Sequence, residues 1–510
     1  MVAGAQAVTK AEAAVTAPAG SAPPRNSASG VISGEHAKER AKEVLRGGLY
    51  DKPRPQPDPR FELPQLQRRH LSNGLEVLIV ENHKLPVVNM NLVLKIGAAA
   101  DMREQLTGLA SLTADMLDEG TAAGRTALDV SNQLAAIGAR LGSGAGYDSS
   151  AINLLTLTRH LDRALEIYAD VLLNPSFPPR ELERLRASRV TAIMQRRDNA
   201  SEMADLAYSA LLYGSAHPYG NPLIGTEASV RSIGEPDVRR FYETYYRPNN
   251  ATLIVAGDVT PEALIPQLEK TLAHRRQAAV PTITIAQPPP RERATLYLVD
   301  RPGSAQSVIA IGQVGLDRRT PDYFPLLVMN TLLGGQFTSR VNMNLRENKG
   351  YTYGARTSFS FRRAPGPFVA TAGVQTMVTK ESIVEFLKEL RGVRGEIPIT
   401  PEELNFAKQA IIRGYPRGFE TPAQVADRLA DLALHDLPDD YFNNYIARIR
   451  AVTLDDVRRA AANHLDPSRM VVLVVGDRQA IENPLRSLEN LGTTLTFVNQ
   501  ETDSADPTMK

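Results

Sequence analysis

The chain has 510 residues, more than a single hydrophobic core requires, and this length predicts several domains. The hydrophobic fraction of 43%, the charged fraction of 23% and the net charge of +1 are those of a globular protein with no general attraction to nucleic acid or membrane surfaces. The sequence contains no cysteine, which excludes disulfides, thiolate zinc sites and a cysteine nucleophile.

The N-terminal region 1–64 is predicted to be a disordered tail followed by a proline-rich linker. It is rich in Ala, Gly, Pro and Ser, and the segment "DKPRPQPDPRFELP" is proline-spaced. The region lacks the apolar core of a signal peptide, and no run of the chain approaches the roughly 18 apolar residues of a membrane span. We expect a mature chain that is periplasmic or otherwise exported after loss of a leader; a cytoplasmic protein is the alternative.

The first folded elements are two predicted strands followed by helices. Asn73-Gly74 marks a turn before the apolar run "LEVLIV", and the segment 86–99 alternates in the manner of a half-buried strand. Helical periodicity follows in five segments: 105–119, 126–137, 159–172, 178–196 and 200–212.

An internal repeat organises the rest of the chain. "DVRRFYETYYRPNNATLIVAGD" from residue 237 matches "DVRRAAANHLDPSRMVVLVVGD" from residue 456 without a gap, an offset of 456 − 237 = 219. The same offset relates "VLIVE" to "LYLVD". We therefore predict an α+β fold of two homologous halves, each a mixed antiparallel sheet with helices. The predicted regions after the linker are 65–280, a second linker 281–293, 294–495 and a tail 496–510.

Several motifs in order resemble the pitrilysin/insulinase zinc proteases, the inverted zincins related to the mitochondrial processing peptidase. They are "GLASLTADMLDEGT", "HPYGNPLIGT", "RPNNATLIVAGD" and "LLGGQFTSRVNMNLRENKGYTYG". The resemblance covers nearly all of the chain from residue 65 to residue 480. It implies a half clamp built from duplicated α+β domains, with a large cavity in which a peptide is cut.

The zinc motif of that family is degenerate in this chain. Active members carry H-x-x-E-H, in which two histidines four apart reach one zinc and the glutamate is the general base. The frame places Ser111, Ala114 and Asp115 at these positions, and Ala192 where a further glutamate ligand follows 77 residues later. One carboxylate falls short of the three protein ligands of a catalytic zinc, so we expect no cofactor in this chain. Leu109, Leu112 and Met116 are expected to face the core.

The second half retains the pair that relatives direct at the scissile region of the substrate. The resemblance assigns this role to Arg346 and Tyr353, seven residues apart, with Gly350 ending the helix between them. A guanidinium fork and a tyrosine hydroxyl are donors suited to an oxyanion. Tyr351 stands where relatives usually have an aliphatic residue and is the alternative tyrosine.

Two glycine-containing segments resemble parts of the family cavity. Gly334 and Gly335 resemble a family loop near the cavity that would contact the substrate, although a tight turn after a helix explains them better. The segment 142–158 stands where relatives have a strand that pairs with the substrate, but its glycines weaken strand propensity.

Three functions are compatible with this pattern. The first is a non-zinc subunit of a heteromeric zinc metalloendopeptidase, which hydrolyses a peptide with a homologous partner that carries H-x-x-E-H and the zinc. The second is a catalytically inactive scaffold or peptide-binding protein with the peptidase fold. The third is a self-sufficient enzyme of another type, but no Ser/His/Asp spacing or nucleotide-binding loop in the sequence supports it.

Overall fold

The apolar runs of the first half form the centre of a six-stranded mixed sheet. The computed structural model describes residues 57, 61–288, 290–488 and 494–498. The strands of this sheet are β1 (Gln67–His70), β2 (Glu76–Glu81), β3 (Val87–Leu94), β4 (Arg140–Ala145), β5 (Ser150–Leu157) and β6 (Ala251–Gly257). Their order is β1-β2-β6-β3-β5-β4; only β2 and β6 pair in parallel.

A second six-stranded sheet repeats this arrangement. Its strands are β7 (Thr295–Asp300), β8 (Gln306–Val314), β9 (Thr352–Phe359), β10 (Pro367–Gln375), β11 (Val471–Gly476) and β12 (Thr494–Val498). Their order is β12-β7-β11-β8-β10-β9, in which β7 runs parallel to both of its neighbours. The starts of β2 and β7 differ by 295 − 76 = 219, and those of β3 and β8 by 306 − 87 = 219. The predicted α+β fold with two related sheets is confirmed.

Helices cover the sheets in both halves, and several begin with a capping box such as Thr453 with Asp456. In the first half the helices are Asp101–Glu104, Leu109–Asp115, Ala127–Ala136, Leu161–Leu173, Pro179–Arg196, Ala200–Tyr213, Glu227–Ser232, Glu235–Tyr245 and Pro261–Leu272. In the second half they are Tyr323–Leu333, Arg340–Asn342, Thr379–Arg391, Pro401–Gly414, Pro422–His435, Tyr445–Ala451, Leu454–His464 and Arg478–Arg486, with π-helical turns at Met343–Asn348 and Gly392–Glu396. Among the described residues, every helix is too short or too polar to cross a bilayer.

Each half places one helix on the sheet of the other half. Ala200–Tyr213 packs on β8 and β11, and Pro422–His435 packs on β3 and β6. The strand predicted within 86–99 is confirmed as β3, but the prediction that it is half-buried is wrong, since both of its faces are buried. Asn89 and Asn91, on its polar face, are only 6% and 3% exposed, because the helix from the second half covers that face.

Both ends of the described region differ from the predicted linker and tail. Leu63 is buried and donates its N–H to Asn443 Oδ1 (2.8 Å), and the Phe61 ring lies 4.4 Å from that of Phe419. The strand β12 extends to residue 498 because it pairs with β7. The remainder of the predicted tails, residues 1–56, 58–60 and 499–510, lies outside the described residues.

Candidate functional site

The helix with the degenerate zinc motif, Leu109–Asp115, is anchored by a buried carboxylate that the sequence did not reveal. Asp101 accepts hydrogen bonds from the backbone N–H groups of Gly108 (2.8 Å) and Ala110 (2.9 Å), which begin this helix. The predicted inward packing of Leu109, Leu112 and Met116 is confirmed, since all three are fully buried.

The guanidinium of Arg189 lies between Ser111 and Asp115, the two positions that the motif frame aligns with histidines. One Nη donates to Ser111 Oγ (2.8 Å) and to the Gly108 carbonyl (3.1 Å), and the other donates to the Asp115 carboxylate. Arg189 is 7% exposed and belongs to the helix Pro179–Arg196, one turn before Ala192. A buried organic cation thus stands where the motif frame would place the metal.

The residues at this position do not fit zinc. Ser111 uses its hydroxyl proton toward the Leu223 carbonyl (2.7 Å), and Ala114 and Ala192 carry only methyl groups. Asp115 is the sole carboxylate of the set and is paired with Arg189. In the described part of the chain, no group of three or more His, Asp or Glu residues is placed to hold a metal ion.

Burial shapes the electrostatics of this helix. Asp101 is 2% exposed, and desolvation raises its pKa to about 7 against the opposing effect of the Ala110 and Gly108 N–H groups and of Arg189. Burial also raises the pKa of Asp115, and Arg189 opposes that shift. The Arg189 guanidinium therefore compensates negative charge that has been withdrawn from water.

The predicted Arg346–Tyr353 segment forms a corner of the second sheet. Lys349 N–H donates across five residues to the Asn344 carbonyl (3.0 Å), the π-helical pattern. Gly350 then adopts φ +67°, a left-handed conformation that favours glycine, and the chain enters β9. Arg346 lies in the π-helical turn and Tyr353 is the second residue of the strand.

Both side chains of the pair are accessible. Tyr353 is 88% exposed. Arg346 lies with its Cζ 4.6 Å from the centroid of the Phe337 ring, and its Nε is 3.3 Å from Glu347 in a solvent-exposed ion pair. Among the hydrogen bonds and ring contacts of the described residues, none joins Arg346 to Tyr353. Tyr351 is half-buried, and its carbonyl accepts the N–H of Gln375 (3.2 Å).

The Gly334-Gly335 loop packs directly against β9. A Cβ added to Gly334 would lie 2.4 Å from the backbone N of Thr357, and the Gly334 carbonyl accepts that N–H (3.1 Å). Asn342 Oδ1 accepts the Ala355 N–H in the same way (3.1 Å). Close packing accounts for Gly334, whereas a contact of Gly334 or Gly335 with substrate stays a prediction. The outer edge of β9 is therefore hydrogen-bonded to Gly334 and to Asn342 at the end of a short helix.

The corresponding edge of the first sheet is open. The glycines of the 142–158 segment do not prevent a strand, because Arg140–Ala145 forms β4 at the sheet edge. A Cβ added to Gly142 or Gly144 would meet nothing within 4 Å. Among the described residues, the backbone of β4 has no hydrogen bond beyond its ladder with β5. Ser143 Oγ donates to the Ala114 carbonyl (2.7 Å), so this edge lies beside the degenerate motif.

Sequence reasoning missed Arg189. The available signal was its position three residues before Ala192, which places both on neighbouring turns of one helix. An arginine at that spacing becomes informative only once the helices Pro179–Arg196 and Leu109–Asp115 are known to pack together.

Two protein-family models match the chain. A model of the insulinase family, peptidase family M16, matches residues 76–227. A model described as the peptidase M16 inactive domain matches residues 232–411. Together they cover strands β2 to β10, whereas β1, β11 and β12 lie outside the matched residues.

Individual relatives match most of the chain. An uncharacterized zinc protease of Streptomyces coelicolor is 24% identical over 422 residues, which cover 81% of this chain and 91% of that protein. A Helicobacter pylori protein named non-peptidase homolog YmxG is 22% identical over 405 residues, which cover 79% of this chain and 92% of that protein.

Solved structures show the same fold. The peptidase M16 inactive domain from Pseudomonas fluorescens superposes with a TM-score of 0.76 at 25% identity and covers 81% of this chain and 98% of that one. A protease from Helicobacter pylori superposes with a TM-score of 0.72 at 21% identity and covers 81% and 100% of the two chains.

Proposed function

Because the chain belongs to the insulinase family of M16 peptidases, we propose that it is the non-zinc subunit of a two-chain zinc endopeptidase. Its partner is a homologous chain with an intact H-x-x-E-H motif, which supplies the zinc. The observation that carries the proposal is an asymmetry within the chain. Arg189 fills the metal position of the first half, while Arg346 and Tyr353 of the second half remain accessible.

The proposed role of the accessible pair is to stabilise charge. As water attacks the scissile peptide bond, negative charge grows on the carbonyl oxygen, and donors aimed at that oxygen lower the barrier. The Arg346 guanidinium and the Tyr353 hydroxyl are such donors, and neither is engaged by a buried acceptor among the described residues. Tyr353 suits this role better than Tyr351, whose half-buried ring is less free to reach a substrate.

The open edge of β4 supports a peptide as the substrate class. An extended peptide can add to a free sheet edge through its main-chain hydrogen bonds. Gly142 and Gly144 have no side chains, which leaves room for a peptide backbone to approach β4 closely. The edge of β9, in contrast, is already hydrogen-bonded to Asn342 and Gly334. We therefore place a bound peptide on β4 in this proposal.

A second candidate is an inactive peptidase-fold scaffold or peptide-binding protein. The Helicobacter pylori relative is named a non-peptidase homolog, and the Pseudomonas fluorescens structure is described as an inactive domain. The open β4 edge is equally compatible with a peptide-binding scaffold and with a peptidase subunit. The accessible Arg346 and Tyr353, however, have no role in a scaffold.

Co-expression with a homologous chain that carries H-x-x-E-H tests the two candidates. Size-exclusion chromatography with light scattering measures complex formation, and a fluorogenic peptide library measures cleavage by each chain alone and by the mixture. The subunit proposal expects a heteromer that cleaves peptide and single chains that do not. A stable heteromer without any gain in cleavage favours the scaffold, and the absence of any complex contradicts the subunit proposal.

A further inference from the structure

A small cavity lined by four arginines lies where loops of the second half meet the segment that connects the halves. Its volume is about 160 Å³. The guanidinium groups belong to Arg318, Arg319, Arg362 and Arg363, and the connecting segment contributes Ile283 and Ile285. The cavity is separate in sequence and fold from the Arg346–Tyr353 corner and from the degenerate zinc motif.

Two of the arginines are held in place by the protein. Arg318 is 5% exposed and donates to the Asp431 carboxylate and to the Tyr441 hydroxyl, both at 3.0 Å. Arg363 donates from its Nη to the Lys95 carbonyl (3.3 Å). The loops that carry the four arginines are joined by a backbone hydrogen bond (2.8 Å) from Arg318 N to Arg362 O. The guanidinium groups of Arg318 and Arg363 thus have protein partners before any ligand arrives.

The other two arginines have donors to spare. The Arg362 guanidinium lies between two rings, with its Cζ 4.2 Å from the centroid of Tyr147 and 4.6 Å from that of Tyr219. Its Nη1 is buried and has no hydrogen-bond partner among the described residues. Arg319 is exposed. Its side chain makes no hydrogen bond or ion pair with any residue that the structure describes. Arg319 thus offers free guanidinium donors at the cavity, and Arg362 retains one buried donor that the described residues leave unpaired. Such donors favour an acceptor with several oxygens.

The nearby acids do not cancel this charge. Asp436 lines the cavity but pairs with Lys95 Nζ (2.7 Å). Asp431 forms an ion pair with Arg318. Burial lowers the pKa of the neighbouring His435, so the imidazole is mainly neutral near pH 7. Asp148 also lies close by, where it accepts the backbone N–H of Arg363 (2.9 Å) and the Tyr219 hydroxyl. The lining residues comprise four guanidinium groups and one carboxylate, so that with Asp431 and Asp148 behind them the cavity still carries a net positive charge.

We propose that this cavity is a binding site for a small oxyanion, a phosphate or carboxylate group, held by Arg319 and Arg362 with Arg318 and Arg363 beside it. Guanidinium forks match the paired oxygens of these groups better than any other side chain does. A bound oxyanion would tie the β9–β10 turn to the segment that connects the halves. The inference is independent of the proposed peptidase function, because it uses none of its residues.

Isothermal titration of the full chain tests the site, with inorganic phosphate in one arm and acetate in the other. Chloride keeps the ionic strength constant, so that general screening does not change between injections. We expect saturable binding of one ion per chain. Preference for phosphate identifies a phosphate-type site, and preference for acetate identifies a carboxylate-type site.

Arg319→Gln is the informative variant, because Arg319 is exposed and its loss leaves the packing intact. It should bind the preferred ion about tenfold more weakly, since a charge-assisted hydrogen bond is lost. Arg417→Gln, which removes an equally exposed arginine outside the cavity, should bind as the wild type does. Arg363→Gln is a second variant at the cavity and should also bind more weakly. Absence of saturable binding in both arms, or wild-type affinity in both cavity variants, would overturn the proposal.

Discussion

Arg189 donates a hydrogen bond from its guanidinium to the carboxylate of Asp115, and this contact joins the helices Pro179–Arg196 and Leu109–Asp115. The two partners are unequally buried, since the Arg189 side chain is 7% exposed and that of Asp115 is 43% exposed. The two helices are therefore joined by an ion pair whose buried member is the cation. This difference in burial determines how much the free energy of unfolding should fall when either Arg189 or Asp115 is removed.

Removal of the Asp115 carboxylate should destabilise the fold more than removal of the Arg189 guanidinium. Asp115→Ala removes the hydrogen-bonded counter-charge of buried Arg189, leaves only the partly protonated Asp101 nearby, and should lower the free energy of unfolding by up to about 3 kcal/mol. Arg189→Met leaves Asp115 partly open to water and should cost only about 1 kcal/mol. Urea unfolding of each variant measures both values.

The exposed ion pair between Arg231 and Glu227 (2.8 Å) provides a control. Arg231→Met should change the free energy of unfolding by less than about 0.5 kcal/mol, because solvent screens this pair. A larger loss for Arg189→Met than for Asp115→Ala would contradict the proposed inequality.

Restoration of the zinc motif should fail while Arg189 remains. The four changes Ser111→His, Ala114→Glu, Asp115→His and Ala192→Glu supply the missing ligands and base. The guanidinium would still lie between the new histidines, where it both fills space and repels a dication. Addition of Arg189→Ala should allow near-stoichiometric zinc, measured by elemental analysis after dialysis. Stoichiometric zinc in the four-change protein would show that Arg189 does not block the position.

Loss of the Tyr353 hydroxyl should impair turnover rather than assembly. In a complex with a zinc-bearing partner, Tyr353→Phe removes one oxyanion donor, and kcat should fall by about 10²–10³. Arg346→Lys keeps the charge but loses the fork, so its kcat should fall as well. Because both side chains are accessible, the variants should form the complex and melt as the wild type does.

Tyr351→Phe is the matched control and should retain full activity. Normal turnover in Tyr353→Phe together with a loss in Tyr351→Phe would assign the role to the other tyrosine. Full activity in all three variants would leave the Arg346–Tyr353 hypothesis without support and would favour the scaffold.

Asp101 should give the stability of the chain a distinct pH dependence. Its pKa in the fold is about 7, whereas an aspartate in an unfolded chain has a pKa near 3.9. Between these values the folded state binds the proton more tightly. This group therefore makes the free energy of unfolding fall as pH rises from about 4 to about 7, by at most about 1.4 kcal/mol per pH unit.

Asp101→Asn removes that titration. The stability of the variant relative to the wild type should rise as pH increases through the same window, even if loss of one acceptor to Gly108 or Ala110 lowers its stability at every pH. Urea unfolding of both proteins from about pH 5 to about pH 8 measures the difference. A difference that stays constant across this range would show that Asp101 is not titrating there.

The sequence by itself determined the two related halves and the loss of the zinc ligands. A gapless repeat at an offset of 219 residues requires two copies of one helix–turn–strand unit, and the structure places β2 and β7 at that offset. The chemistry of Ser111, Ala114 and Ala192 excludes them as the family's ligands and base in any conformation. Gly350, before a strand and after a helical segment, likewise indicated the corner that holds Tyr353.

Only the tertiary structure decided how the polar face of β3 is used and what stands at the metal position. The alternation around Asn89 and Asn91 predicts a solvent-facing side, but a helix from the other half covers it. Arg189 reaches Ser111 across 78 residues of sequence because their helices pack side by side. Local patterns record propensity and periodicity over one element, whereas the burial of an asparagine or the partner of an arginine depends on elements brought together from distant parts of the chain.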